Sequence, residues 1–478
     1  MLASRDETGI LCVDSSWTTE RTGDIVQEFD LIIVGTGSAN SIPNEAFDEW
    51  NIAIIEKGVF GGTCLNVGCI PSKMFIYAAD VAESVRHAST YGVDASVDGV
   101  RWNDIVRRVF GRIDPIAAGG EDYRVSQCSN ITVFRGEARF VAPKVLEVNG
   151  EQLTARHIVL GAGARVAVPP VPGLADVPYE TSDTIMRRTE VPKRLLVLGG
   201  GYIASELGHV FEALGSEVTL VNRSDRLLRI EDDDISERFT DVMGRRFDLR
   251  LGTSDHALSR DADGITMTYR DSEGNRQSAM GDVLLVATGR TPNGDVLEVE
   301  AGGLEHDGPR VIVDSAGRTN VDGVWAFGDL SNTRQLKHLA NYEVRTIQHN
   351  LLNPDDLRHT DDELTPHAVF SNPQVASVGL TERDARAKGL PISVAKKDYG
   401  ATAYGWAMED SDSFCKLVAN SETRLLLGAH IIGPQAATLI QQLIQGMAFG
   451  QTVDEMARGM MYIHPALTEV VENALLDL

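Results

Sequence analysis

Phe29-Asp-Leu-Ile-Ile-Val-Gly35-Thr-Gly37-Ser-Ala-Asn40 and Arg194-Leu-Leu-Val-Leu-Gly199-Gly-Gly201-Tyr-Ile-Ala204 repeat one pattern: an apolar strand, a glycine-rich turn, then the start of a helix. The first glycine of each turn permits the tight bend. The second lets the backbone approach a diphosphate, which then sits on a helix N-terminus. A second apolar strand follows each turn, Ile52 to Glu56 and Glu217 to Asn222. Both are starts of βαβ units, so the chain is expected to hold two nucleotide-binding folds.

The two turns differ in detail. In the first, Gly35 and Gly37 are in place, but the third position is Asn40 instead of Gly or Ala. Glu56 lies 21 residues after Gly35, close to the roughly 20-residue offset at which a carboxylate receives a ribose hydroxyl pair. In the second, Gly199, Gly201 and Ala204 are all present, and the strand ends in Asn222-Arg223 with no acid. A carboxylate there would repel a 2′-phosphate, whereas guanidinium groups bind it bidentately. Arg223 and Arg229 therefore argue for NADPH over NADH, while Arg226 reads better as a basic residue leading into a helix.

Between the turns lies Gly61-Gly-Thr-Cys64-Leu-Asn-Val-Gly-Cys69-Ile-Pro71-Ser-Lys73. Two cysteines five apart at the start of a helix suggest a redox-cycling disulfide, since Pro71 suits a first helical turn and a helix N-terminus lowers a thiol pKa. No other Cys or His lies within fifteen residues, so no metal site is expected. Near the C-terminus, His464-Pro465-Ala-Leu-Thr-Glu469 puts an imidazole within reach of a carboxylate. Such a partner fixes the tautomer and suits a general acid for a leaving thiolate.

The 478 residues are ample for about three domains. Pro169-Pro170-Val-Pro172-Gly173 is a turn-rich connection, and the strands Ile158-Val-Leu and Val283-Leu-Leu-Val read as exits of an inserted domain. The expected division is a mobile extension at 1–28, one dinucleotide domain at 29–165 and 286–362, a second inserted at 166–285, and a third domain at 363–478. The fold class is α/β: two Rossmann-like domains, the second inserted in the first, plus a C-terminal α+β domain. The net charge of −25 opposes binding to nucleic acid or anionic membranes. No run of 18 apolar residues suggests a membrane span, the first residues do not read as a signal peptide, and five scattered cysteines point to the cytoplasm. The acidic stretches Glu231-Asp-Asp-Asp234 and Asp361-Asp-Glu363 are expected to be solvated loop or helix-start charges. Cys12, Cys128 and Cys415 have no expected role.

Together these motifs resemble the class I pyridine nucleotide–disulfide oxidoreductases, over residues 29–478. The resemblance implies an FAD domain, an inserted NADPH domain and an interface domain that makes a homodimer. By the same likeness Thr319-Asn-Val-Asp-Gly323-Val-Trp-Ala-Phe-Gly328-Asp329 is the second flavin motif, with Asp329 on the ribityl chain. Thr63, Ala138 and Gly163 fall at positions that line FAD, Gly289 at a cofactor turn, and Lys73 with Glu206 match the ion pair beside the flavin. The likeness implies that Cys69 faces the flavin, Cys64 attacks the substrate, and His464 with Glu469 serves the neighbouring subunit's cysteines. His338 falls on the helix that faces the flavin in this family.

Four stretches are similar to the branch of the family that reduces mycothione: Gly35 to Asn40, Val109 to Ile116, Asp398 to Asp410, and Met456 to Gly459 with His464 to Leu476. Glu472 to Leu478 lacks the cysteine pair of mercuric reductases and large thioredoxin reductases, and two cysteines here disfavour coenzyme A disulfide reductases. The alternatives are dihydrolipoamide dehydrogenase and, more remotely, a catalytically silent sensor that binds both dinucleotides.

Overall fold

The computed structural model describes residues 26–478. Residues 1–25 of the expected extension, Cys12 among them, lie outside the described residues. The first dinucleotide unit is built on parallel strands in the order Ile131–Arg135, Ile52–Glu56, Val26–Val34, Glu151–Leu160. Val324–Ala326 also pairs in parallel with Glu151–Leu160. Leu31, Ile32 and Ile33 are fully buried, because helices or loops cover both faces, which is why this strand is a continuous apolar run instead of an alternating one. The strand begins at Val26, before the boundary expected at residue 29, since Val26 to Phe29 pair with Gln152 to Ala155.

The first glycine turn does not open a helix of any length. Ser38–Ser41 and Glu45–Phe47 form two short 3₁₀ turns instead. Pro43 has no N–H to donate and its ring would clash with the carbonyl four residues back, so a helix started at Ser38 cannot continue. Buried Arg124 takes over the turn. Its Nε donates to Asn40 Oδ1 (2.9 Å), and its Nη2 donates to the carbonyls of Asn40 (2.6 Å) and Pro43 (3.3 Å).

The second unit has parallel strands Asp248–Arg250, Glu217–Val221, Arg194–Leu198 and Val283–Val286, flanked by the antiparallel strands Ser254–Asp261, Gly264–Arg270 and Arg276–Gly281. Here the glycine turn does open a helix, Tyr202–Ala213. Gly199 has φ +132°, and a Cβ on it would stand 2.3 Å from the Ala287 carbonyl oxygen, so only glycine fits this crossing. The chain leaves and re-enters the first unit through Ala164–Val166 and Arg290–Pro292, which pair antiparallel. The second unit is thus an insertion.

The third unit is a five-stranded antiparallel sheet in the order His367–Val369, Val375–Gly379, Leu426–Ile432, Phe414–Asn420, Ile392–Asp398. Helices Ala436–Ala448 and Thr468–Leu476 pack their apolar faces on it through Leu439, Leu443, Val470 and Val471. Among the described residues, no helix is long and apolar enough to cross a membrane.

The acidic stretch Glu231 to Asp234 leads into the helix Asp233–Gly244 as expected, but only its second half is open to solvent. Glu231 and Asp232 are 2% and 1% exposed, because they face cations and donors of the third unit. Lys416 Nζ sits 2.7 Å from Asp232, 2.8 Å from Asp234 and 2.8 Å from Glu382. Glu231 accepts from His367 Nε2 (2.7 Å) and from the Ser377 hydroxyl (2.6 Å). This cluster pins the inserted unit to the third. Removing one member of a buried ion cluster strands the rest, at about 3–5 kcal/mol. Lys416→Ala is therefore expected to lower the thermal midpoint by several degrees, whereas Lys57→Ala, which breaks an exposed pair with Glu137, leaves it within about a degree. Thermal melts of both variants check this. Asp361 to Glu363 is exposed, as the sequence suggests.

Candidate active site

A cavity of about 550 Å³ runs between the first and second units. Its walls bring together Gly35, Gly37, Glu56, Thr63, Cys64, Cys69, Lys73, Ala138, Gly163, Glu206 and Asp329, residues spread over nearly three hundred positions. The glycine turn is tightly packed. Gly35 has φ +94°, and a Cβ there would lie 2.5 Å from the Gly161 carbonyl oxygen. Gly62 (φ +65°) abuts Gly37, whose Cα would be 2.8 Å from any added Cβ. The cysteine loop is thereby pressed against the turn.

Cys64 lies in the short helix Gly62–Asn66, and Cys69 opens the helix Cys69–Arg86. Asn66 fixes the loop between them by donating to the carbonyls of Phe60 (2.8 Å) and Gly62 (3.0 Å). Both thiols are free, and they are not equivalent. The hydrogen bond from Cys64 outweighs burial at Cys69, and with the nearby Lys73 ammonium it brings the Cys69 pKa down to about 7. The same hydrogen bond, with burial, pushes the Cys64 thiol well up. The first proton to leave the pair therefore comes from Cys69, and the one that remains is held on Cys64.

Lys73 is held by Glu206, with Nζ 2.8 Å from both carboxylate oxygens. Glu206 is buried on Tyr202–Ala213, and its Oε1 also accepts from the Phe370 N–H (2.9 Å). Lys73 Nζ stands 4.7 Å from the centre of the Phe370 ring. One ion pair thus joins all three units at the cysteines. Burial raises the Asp329 carboxyl, partly offset by Arg290, whose Nε is 3.9 Å away, and by Lys337. Glu56 is more fully used than its spacing suggests. Its Oε2 accepts from the Thr36 N–H (2.9 Å) and hydroxyl (2.6 Å), and its Oε1 from the Gly58 N–H (2.7 Å). With about four lone-pair sites on a carboxylate, one remains for a ribose hydroxyl.

His464 Nδ1 lies 2.7 Å from Glu469 Oε1, and this contact holds the Glu469 carboxyl below its ordinary range. The imidazole is 72% exposed and is not among the residues lining the cavity of its own chain. The second glycine turn also stands apart from the cavity: Gly199, Gly201, Gly289, Arg223 and Arg229 do not line it. Arg223 and Arg229 are exposed, and among the described residues no carboxylate lies within 4.0 Å of either. Arg226 instead pairs with Asp233 at 3.4 Å. Asn222 caps the loop by donating to the carbonyls of Ser224 (3.3 Å) and Arg226 (3.2 Å).

The sequence reading passed over Arg290 and Lys337. Arg290 lines the cavity, donates to the Ala164 carbonyl, and keeps a buried Nε without a hydrogen-bond partner. It follows Gly289 directly, and that adjacency is the signal that could have found it. His338, singled out on the flavin-facing helix, points away to the Pro366 carbonyl (2.7 Å), while its neighbour Lys337 lines the cavity. Cys415 is fully buried in the third unit, and Cys128 lies beside Arg124.

Residues 29–345 match the model of the pyridine nucleotide-disulphide oxidoreductases, and residues 365–475 match that of their dimerisation domain. Mycothione reductase of Mycobacterium tuberculosis is 50% identical over 464 residues, covering 95% of this chain and all of that protein. Mercuric reductase of Staphylococcus aureus is 32% identical, over 93% of this chain and 80% of that one. Dihydrolipoyl dehydrogenase of Haloferax volcanii is 31% identical, over 95% and 98%. Among solved structures, the HOCl-induced flavoprotein disulfide reductase RclA from Escherichia coli superposes with a TM-score of 0.81 at 26% identity, covering 94% of this chain and 99% of that one. The chain belongs to the pyridine nucleotide-disulphide oxidoreductase family. The cavity fits the flavin dinucleotide of that family: a Cβ on Gly163 would meet nothing within 4 Å and one on Gly37 only the Gly62 Cα at 4.0 Å, so these glycines leave open the space a cofactor would fill, and the wall residues Arg290 and Asn66 keep a buried Nε and Oδ1 without a hydrogen-bond partner.

Proposed function

We propose that this chain is a cytoplasmic, NADPH-dependent FAD disulfide reductase that works as a homodimer and reduces mycothione, the disulfide of mycothiol. The observation that carries the chemistry is the unequal cysteine pair in the wall of a dinucleotide cavity. The substrate rests on the 50% identity with mycothione reductase across that protein's whole length. A dithiol that must cycle suits a reducing compartment.

Gly35, Gly37, Glu56, Thr63, Ala138, Gly163 and Asp329 would hold FAD. Gly199, Gly201, Gly289, Arg223 and Arg229 would hold NADPH. When bound, the two cofactors supply the electron pair that opens the Cys64–Cys69 disulfide. Lys73 and the Cys64 thiol then keep Cys69 as a thiolate. Cys64 gives its proton to His464 of the partner subunit and attacks one sulfur of mycothione. The S–S bond of the substrate breaks, and the departing thiolate takes a proton from that imidazole. Cys69 next attacks the Cys64 sulfur, which releases the second mycothiol after protonation and restores the disulfide. The balance is one mycothione, one NADPH and one proton consumed, two mycothiols and one NADP⁺ formed. Glu469 accepts from His464 Nδ1, so Nε2 is the nitrogen that carries the proton.

The test is NADPH oxidation by purified protein with mycothione as acceptor, run beside NADH with lipoamide. Turnover with the first pair and little with the second is expected. Lipoamide-linked turnover with NADH would make the protein a dihydrolipoamide dehydrogenase and overturn both the substrate and the role of the arginines. Arg223→Ala and Arg229→Ala are each expected to raise KM for NADPH about tenfold while leaving KM for NADH nearly unchanged. Steady-state kinetics with both nucleotides check this.

A further inference from the structure

The first glycine turn poses an electrostatic problem. A diphosphate carries two negative charges, and the usual N-terminus of a long helix is a ready partner for them. In this chain only the four-residue turn Ser38–Ser41 follows Gly37, so few peptide dipoles are aligned there. Something else must balance the charge.

We infer that Lys337 supplies that balance, as the cation that binds the dinucleotide's diphosphate at the first glycine turn. The inference rests on the FAD reading above. Lys337 opens the helix Lys337–Leu352 and lines the cavity. Its Nζ donates to the hydroxyl of Ser38, the residue after Gly37, at 2.6 Å. Ser38 Oγ is in turn 3.0 Å from Asn341 Oδ1, one turn further along the same helix. The ammonium is thus anchored at the edge of the turn by a neutral partner. Among the described residues no carboxylate lies within 4.0 Å of it. Asp329 feels its field but does not pair with it. A half-buried ammonium whose neighbour is a neutral hydroxyl is not paired with a carboxylate, which leaves it free to bind an anion. Of the other lysines that line the cavity, Lys73 is spent on Glu206 and Lys57 on Glu137.

Arg124 completes the arrangement as a positioning residue. It holds the carbonyls of Asn40 and Pro43 from behind the turn and does not line the cavity. The work of one long helix is divided: Arg124 holds the shape and Lys337 carries the charge.

The experiment is FAD titration of the apo-protein, followed by flavin fluorescence, for wild type, Lys337→Gln, Lys337→Met and Lys337→Arg. Gln keeps a donor for Ser38 but loses the charge, so Kd for FAD is expected to rise about tenfold to a hundredfold. Arg keeps the charge and is expected to restore most of the affinity. Binding of ADP should weaken by a similar factor in the Gln variant, whereas adenosine, which has no phosphate, should bind as in wild type. Added salt should weaken FAD binding less in the Gln and Met variants than in wild type. Unchanged FAD affinity in a folded Gln variant, or equal losses for ADP and adenosine, would overturn the role of Lys337 and leave the FAD reading intact. Failure of the wild-type protein to bind FAD would overturn that reading itself.

Discussion

Cys64→Ser is expected to abolish NADPH-dependent disulfide reduction, lowering kcat by a factor on the order of 10⁴ or more, and Cys69→Ser to do the same. The two variants separate in their thiol chemistry. Cys69 owes its pKa of about 7 first to the hydrogen bond from Cys64 and then to Lys73, acting against burial. A serine at position 64 keeps a hydroxyl donor, so Cys69 in Cys64→Ser should still be alkylated by iodoacetamide with a midpoint near neutral pH. The thiolate is the reactive form, so the rate rises as pH passes through that midpoint and is flat above it. Cys64→Ala removes the donor, and the midpoint should move upward. In Cys69→Ser, burial still opposes ionisation of Cys64, so alkylation should stay slow until strongly alkaline pH. Mass spectrometry of the alkylated reduced protein across a pH series reads all three. If Cys64, alone in Cys69→Ser, reacted as a low-pKa thiol, the roles of nucleophile and stored thiolate would be reversed.

Most of what positions this site could be read from local sequence, because glycine turns and cysteine spacing act over short distances. Gly35, Gly199 and the Cys64–Cys69 loop are constrained by their own backbone and nearest strands, and the structure puts them where their spacing implies. The reading failed where a distant residue decides. A Pro three positions beyond Asn40 could have warned that no long helix follows Gly37, but Arg124, which replaces it, lies 84 residues away. Glu231 and Asp232 looked solvated because Lys416, 184 residues from Asp232, is invisible to a local window. The same holds for Lys337, whose partner Ser38 is 299 residues earlier. His338 drew notice because it falls on the helix that faces the flavin in the resembled family, yet the turn of that helix puts its neighbour Lys337 in the cavity wall and His338 on the Pro366 carbonyl.

His464→Gln is expected to cost about 10²- to 10⁴-fold in disulfide turnover, and the more informative experiment mixes subunits. Within one chain His464 is largely exposed and lies outside the cavity wall that holds the cysteines. The segment before it leaves Met461 98% and Ile463 74% exposed, apolar surface that a lone subunit would present to water and a second copy would cover. If each site takes its cysteines from one subunit and its imidazole from the other, a dimer of one Cys64→Ser and one His464→Gln subunit holds one doubly damaged site and one intact site. Such mixed dimers, isolated by two different affinity tags, should show about half the wild-type turnover although each parent homodimer is nearly inactive. If cysteines and imidazole served within one chain, both sites of the mixed dimer would be damaged and it would be as inactive as its parents. Glu469→Gln should cause a smaller loss than His464→Gln in the same turnover assay, because the imidazole remains and only its orientation suffers.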